Sequence, residues 1–108
     1  MTSLLLLNCS VLFFTIDRVE SEMAIVEWAA SGEITDISSA LFPGQPNEGD
    51  RWVVRIHKAD RGQIAYRSQS NALESEQGRL FLPHQCRLQA NDHFRIAFSA
   101  QKRSLNPP

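Results

Sequence analysis

Cysteine and histidine are the residue types here that could supply a nucleophile or bind a transition metal. The chain holds two of the first and three of the second. His84 and Cys86 lie two positions apart, as a thiol and its base would need to be close. Yet a Cys/His pair works only within hydrogen-bond reach, and that spacing in an irregular loop does not enforce it. His57, His84 and His93 show no i, i+4 spacing of the kind that places two metal ligands on one helix face. Cys9 and Cys86 belong to no C-x-x-C pair, which removes the usual zinc and dithiol patterns. Glu20, Glu22 and Glu27 would make a general acid and base only if buried and convergent, and nothing in their surroundings makes them so; they read as solvating one edge. The glycines stand singly and form no phosphate-cradling loop. The sequence therefore predicts no catalytic residue, no metal and no cofactor, and an enzyme built on His84 and Cys86 is its weakest reading.

Cationic side chains are the better candidates for a site. A formal net charge of −1 hides an uneven layout. Residues 1–50 carry eight acids and one base, Arg18, whereas residues 51–108 carry ten bases and four acids. Eight of those ten bases are arginine, whose planar guanidinium suits bidentate contact with phosphate or carboxylate. The candidate partner-binding or nucleic-acid-binding set is Arg51, Arg55, His57, Lys58, Arg61, Arg67 and Arg95. A competing expectation is internal compensation, with Glu20, Glu27, Glu33 and Asp36 lying across a strand from these bases. Single-strand binders also need exposed aromatics on which bases stack. Tyr66, Phe81 and Trp28 are the candidates, but each sits in an apolar strand where burial is expected.

Strand signals dominate the elements that must position these residues. Residues 11–16 and 23–28 are apolar runs rich in β-branched and aromatic side chains, joined by the charged link 17–22. A turn at Ser31-Gly32 leads into residues 33–37, which can pair back on the second strand. Residues 51–57 alternate, placing Trp52, Val54 and Ile56 on a core face and Arg51, Val53, Arg55 and His57 on the other. Residues 58–62 read as a polar turn, 63–67 as a short strand, and 71–77 as at most two helical turns ended by Gly78. Residues 79–82 and 94–98 complete the strands, and the tail 101–108 is expected to be disordered.

Two segments share order and chemistry. Phe42-Pro43 runs to Gly49-Asp50 and then Trp52, while Leu82-Pro83 runs to Asn91-Asp92 and then Phe94. Gly and Asn are the residue types that most easily take positive φ, and the following Asp can accept backbone hydrogen bonds before a strand begins. Each unit predicts a short strand, a Pro-initiated turn, a left-handed pivot and a strand entering the core with an aromatic. Ordinary hairpin chemistry arising twice and a true duplication both remain open.

At 108 residues, with 43% hydrophobic and 21% charged residues, one ordered domain over residues 1–100 is expected, neither disordered nor fibrous. Short strands with regularly spaced turns predict a mostly β fold: a small closed or partly open barrel of SH3-like or OB-like size, with at most one short helix. Closure is favoured because it removes exposed edges. The run Leu4 to Leu7 before Asn8-Cys9 resembles a lipoprotein leader only superficially, lacking a preceding Lys or Arg and small residues at the cleavage position. It is also too short to span a bilayer. Two cysteines are fewer than small secreted scaffolds carry, so reduced thiols and a cytoplasmic home are expected.

The motifs Ile16-Asp17-Arg18, Ala24-Ile25-Val26-Glu27, Leu41-Phe42-Pro43 and Glu48-Gly49-Asp50 resemble a family of short bacterial proteins, the domain of unknown function 3006. The resemblance covers residues 14–56. It implies a minimal β-barrel with an accessory role rather than catalysis, since some members are encoded beside metallo-β-lactamase-fold hydrolases of the DNA-uptake type. The chain departs from that pattern after Ile56, where the second Pro-to-Asp unit follows. Together these readings predict a non-enzymatic binding or accessory barrel in a bacterial cytoplasm, with a protein partner and no membrane contact. A nucleic-acid-binding barrel using the Arg-rich half is the alternative.

Overall fold

Alternation of apolar and polar residues produces eight strands: β1 (Val11–Glu20), β2 (Met23–Trp28), β3 (Ile34–Ser38), β4 (Arg51–Lys58), β5 (Tyr66–Gln69), β6 (Ala72–Ser75), β7 (Gly78–Phe81) and β8 (His93–Ala100). They are seen in a computed structural model that describes residues 9–59 and 66–101, with Gln69 described by its backbone. All pairings are antiparallel, and the ring β1-β2-β3-β7-β6-β5-β8-β4 closes where β4 meets β1. The barrel is thus closed rather than partly open.

The inward residues form one apolar core, in which Phe14, Ile16, Val26, Trp28, Ile37, Trp52, Val54, Leu73, Leu80 and Leu82 are buried. Five aromatics, Phe14, Trp28, Phe42, Trp52 and Phe98, pack together within it. Phe42 stacks on Phe98 with centroids 4.8 Å apart and meets Trp52 edge-on at 5.1 Å; Phe14 meets Trp28 edge-on at 5.0 Å. Such pairs add about 1 kcal/mol each beyond the area they bury.

The two Pro-to-Asp units form the pivots and core strands their residues predict, but the first is entered from a short 3-10 helix, Ser39–Leu41, rather than from a strand. Phe42 and Leu82, each preceding its proline, are buried, and Gly49 and Asn91 take φ of +88° and +67°. In the first unit Gly49 N–H donates to the Ile16 carbonyl at 2.8 Å, and Ile16 N–H donates to the Asp50 carbonyl at 2.9 Å. In the second, Asn91 N–H donates to Ser68 at 3.0 Å, and Ser68 N–H donates to Asp92 at 2.8 Å. The strands they start meet at β4·β8, where Trp52 lies opposite Ala100, Lys58 opposite Phe94, and Arg55 opposite Ala97. Exchanging the two units maps this register onto itself about Arg55 and Ala97. β4-β1-β2-β3 and β8-β5-β6-β7 accordingly form two halves of one ring with the same connectivity.

The halves meet again at β3·β7, where Ile37 lies opposite Leu80. A side-chain relay reinforces this seam: Trp28 Nε1–H donates to Thr35 Oγ1 at 2.8 Å, and that hydroxyl donates to the Phe81 carbonyl at 2.6 Å. Thr35→Val keeps the shape but strands the indole N–H in the core. Unfolding free energy measured in urea is expected to fall by about 2 kcal/mol. A loss under about 0.5 kcal/mol would mean the relay contributes nothing beyond packing.

Three expectations are corrected. Residues 71–77 are not helical: Ala72–Ser75 is strand β6, hydrogen-bonded to β5 and β7, and Glu76-Gln77 is a hairpin turn. A polar run of good helix formers is overridden because ring closure needs Ala72 and Leu73 buried in the wall. Gly78, read as a helix end, instead begins β7 at a close approach to Ser38. Cys9 and Cys86 are not reduced thiols but a disulfide, since barrel closure brings their Cα atoms to 5.8 Å across 77 residues.

Smaller differences follow from pairing. The first strand runs on through a bulge between Ile16 and Arg18 as far as Glu20, so the link to β2 shrinks to Ser21-Glu22, with Ser21 at φ +54°. The predicted leucine-rich extension, residues 63–65 of the predicted short strand, Arg61 and the predicted disordered tail from residue 102 onward lie outside the described residues. Among the described residues no helix is long and apolar enough to cross a membrane.

Candidate binding face

β4 is built to show cations outward because its apolar residues alternate inward. Arg51, Arg55 and His57 are exposed on the outer face, as expected. β8 continues that face, with His57 opposite Arg95, and β5 extends it, with Arg67 opposite His93. Five of the seven predicted residues therefore lie on neighbouring strands of one outer surface. Lys58 sits at its edge, opposite Phe94, with Nζ 3.5 Å from Asp92.

On the other flank, β1 places Val11 opposite Arg55, Phe13 opposite Val53 and Thr15 opposite Arg51. Phe13 is 46% exposed and Val11 37%, an unusual concession for large apolar residues side by side in one strand. Val53, on the same face, is buried. The surface is thus an apolar strip bordered by two guanidinium groups, and no local pattern in the sequence marked Val11 and Phe13 as outward.

The expected compensation across strands does not occur among the described residues. Glu27 lies opposite Thr15 and Ile34, Asp36 opposite Ile25, and the Glu33 carboxylate accepts the His84 N–H at 2.8 Å. Glu20 and Asp17 clasp Arg18 at 2.5 and 2.7 Å, and these contacts, Glu20 first, raise its pKa. The nearer acids are those of the second half: Arg67 lies opposite Glu74, which is itself 3.2 Å from Arg79. Arg51, Arg55 and Arg95 have no ion pair among the described residues. Arg51, Arg55 and Arg95 thus form the uncompensated part of the outer surface of β4 and β8, whereas Lys58 and Arg67 each have a carboxylate near them.

The proposed stacking aromatics do not join this face. Trp28 is buried, while Tyr66 and Phe81 are half-buried, with the Arg79 guanidinium 5.4 Å above the Phe81 ring. The His84–Cys86 pairing also fails as a nucleophile site, because the Cys86 sulfur is consumed by the disulfide. No group of three or more metal-type ligands occurs among the described residues.

Two cavities accompany this surface, the first of them lined in part by Val11 and Phe13. An apolar one of about 330 Å³ sits beside the disulfide, walled by Phe13, Trp28 and Pro83. A polar one of about 620 Å³ opens between the end of β3 and the β6–β7 hairpin. Sequence reasoning missed the second because it exists only where β3 and β7, 43 positions apart at Ile37 and Leu80, are brought side by side. Comparison of the chain with family models, with curated proteins and with solved structures finds no match.

Proposed function

We propose that this protein is a non-enzymatic binding module that docks an acidic segment of a protein partner on the outer face of β1, β4 and β8. One observation carries the reading: exposed Val11 lies opposite Arg55, and exposed Phe13 opposite Val53 between Arg51 and Arg55, whose charges have no carboxylate partner among the described residues. Aromatic and arginine side chains are the types enriched in interface cores and energetic hot spots. A closed ring offers no strand edge, so recognition here rests on side chains rather than strand addition.

The two-fold relation of the halves supports a duplicated four-strand unit. Arg95 and Arg67 then occupy the positions where the first half has Val53 and Thr15, so the second copy adds two cations to a face that Arg51 and Arg55 of the first copy begin. The resemblance of residues 14–56 to small accessory barrels points the same way. The disulfide supports an oxidising compartment rather than the cytoplasm expected from reduced thiols.

A nucleic-acid partner is the second reading, favoured by the unpaired guanidinium groups. It is the weaker one because, among the described residues, Phe13 is the single exposed aromatic beside them, and single-strand binders stack successive bases. Titration with a Glu- and Leu-rich peptide, followed by NMR, is expected to shift Val11, Phe13, Arg51 and Arg55. Charge reversal by R51E/R55E should weaken that binding by on the order of a hundredfold. Tighter, steeply salt-dependent binding of a mixed-sequence oligonucleotide would transfer the assignment to nucleic acid. No shift with either probe would remove this face as a binding site.

A further inference from the structure

The apolar cavity beside the disulfide shares a wall with the candidate binding face. Val11 and Phe13 line it, and the same two residues lie opposite Arg55 and Val53 in the β1·β4 ladder. Opposed Cβ atoms in such a ladder stand about 5 Å apart, so the cavity wall at Val11 adjoins the Arg55 side chain. Arg51 follows four positions along β4, about 13 Å away.

The lining has no chemistry for a charged group. Among the described residues that form it, Ser31 and Gln85 alone carry polar side chains, and neither is charged. Trp28 has no donor to offer, since its Nε1–H is already given to Thr35 Oγ1 at 2.8 Å. The walls are also fixed before a ligand arrives. The Cys9–Cys86 bond joins two of them, the Ala29 N–H donates to the Phe13 carbonyl at 2.9 Å, and the Cys86 N–H donates to the Pro83 carbonyl at 2.9 Å. A preformed apolar wall lowers the ordering cost of binding. At about 330 Å³ the cavity stands at the low end of ligand sites and suits one large side chain.

Uncompensated charge says what carries that side chain. Arg51 and Arg55 make no ion pair among the described residues, so a segment bringing its own carboxylates is complementary to them. We propose that this cavity is the anchor pocket for the partner, seating one Leu or aromatic side chain of an extended acidic segment whose carboxylates reach Arg55 and Arg51. The proposal rests on the binding-face reading above and adds what the partner must contain. An extended chain advances about 3.3 Å per residue, so acids about two and six positions from the anchor match the two guanidinium groups. Acidity brings the segment to the face, and the anchor selects it.

Two peptides offered to the full chain test this, identical in their glutamates and differing by Leu against Ala at the anchor position. Calorimetry should find the Leu peptide tighter by on the order of thirtyfold, from the apolar surface it buries. In NMR it alone should shift Ala30, Gln85 and the Trp28 indole, while both peptides shift Arg51 and Arg55. Ala30→Leu, on the exposed turn between β2 and β3, adds a side chain to the cavity and should bring the Leu peptide down to the affinity of the Ala peptide. R51E/R55E should weaken both peptides. Equal affinities in the parent, with both peptides lost in R51E/R55E, overturn the anchor pocket and leave the binding face standing. A Leu preference that does not respond to R51E/R55E overturns the face, and with it the acidic half of the proposal. Tighter binding of decanoate at Ala30 and Gln85 overturns it in favour of a free lipid, and self-association that the Leu peptide reverses does so in favour of a second copy. Binding of neither peptide overturns both face and pocket.

Discussion

Replacing both cysteines, C9A/C86A, is expected to lower the unfolding free energy by about 4 kcal/mol, the largest loss of any change considered. The bond closes a loop spanning 77 residues, most of the ordered barrel. In the chain-entropy account, opening a loop of that length returns about 4.5 kcal/mol of freedom to the unfolded state. For a domain whose total stability is of the order of 5–15 kcal/mol, that is a large share. The bond also anchors the start of β1. The Ile56 N–H donates to the Ser10 carbonyl at 2.9 Å immediately beside it, and Cys86 packs in the core. Urea denaturation of the parent with and without reductant should reproduce the difference seen in the double variant. Amide exchange should quicken first at Ile56. Equal midpoints for oxidised, reduced and substituted protein would show that β1 is held by its ladder alone.

Gly78→Ala is expected to cost about 3 kcal/mol, a large effect for one added methyl group. A Cβ at this position would stand 2.5 Å from Ser38 Cβ and 2.7 Å from Ser38 Oγ, inside any tolerated contact. Ser38 cannot retreat cheaply, because its hydroxyl accepts the Arg79 N–H and it is the last residue of β3. Either β3 and β7 separate or the backbone twists, and overpacking of this kind costs about 1–3 kcal/mol before the strain of a φ of +153° is added. Gly49→Ala serves as the control. Its φ is +88°, but a Cβ there meets nothing within 4 Å, so conformational strain of about 1 kcal/mol is the whole expected loss. Thermal and urea unfolding of the two variants separate crowding from conformation. Equal losses would mean that the β3·β7 seam gives way without resistance.

Most of the strands could be read because alternation is a local property. Met23–Trp28 needed only its own run of apolar residues, and the faces of β4 followed from Trp52, Val54 and Ile56 at every second position. The pivots at Gly49 and Asn91 were legible because left-handed backbone selects residue type directly. Residues 71–77 were misread for the complementary reason. A polar stretch with Ala, Leu and Glu prefers a helix in isolation, and only the demand of two neighbouring strands turns it into β6. The candidate face was half legible. Its arginines stood out by type, but Val11 and Phe13 join them only because β1 pairs with β4.

By itself, then, the sequence determined where strands begin and turn, which side chains each buries, and that its two halves carry opposite charge. Tertiary structure alone decided that β1–β4 and β5–β8 close as a two-fold ring, that Cys9 meets Cys86, that Arg51, Arg55 and Arg95 meet no carboxylate among the described residues, and that Asp36 and Ser39 share a cavity. The physical reason is range. Periodicity and turn chemistry act over a few residues, whereas each of these outcomes depends on pairing between strands far apart in the chain, as at Ile37 and Leu80, and such pairing is set by burying every apolar face at once.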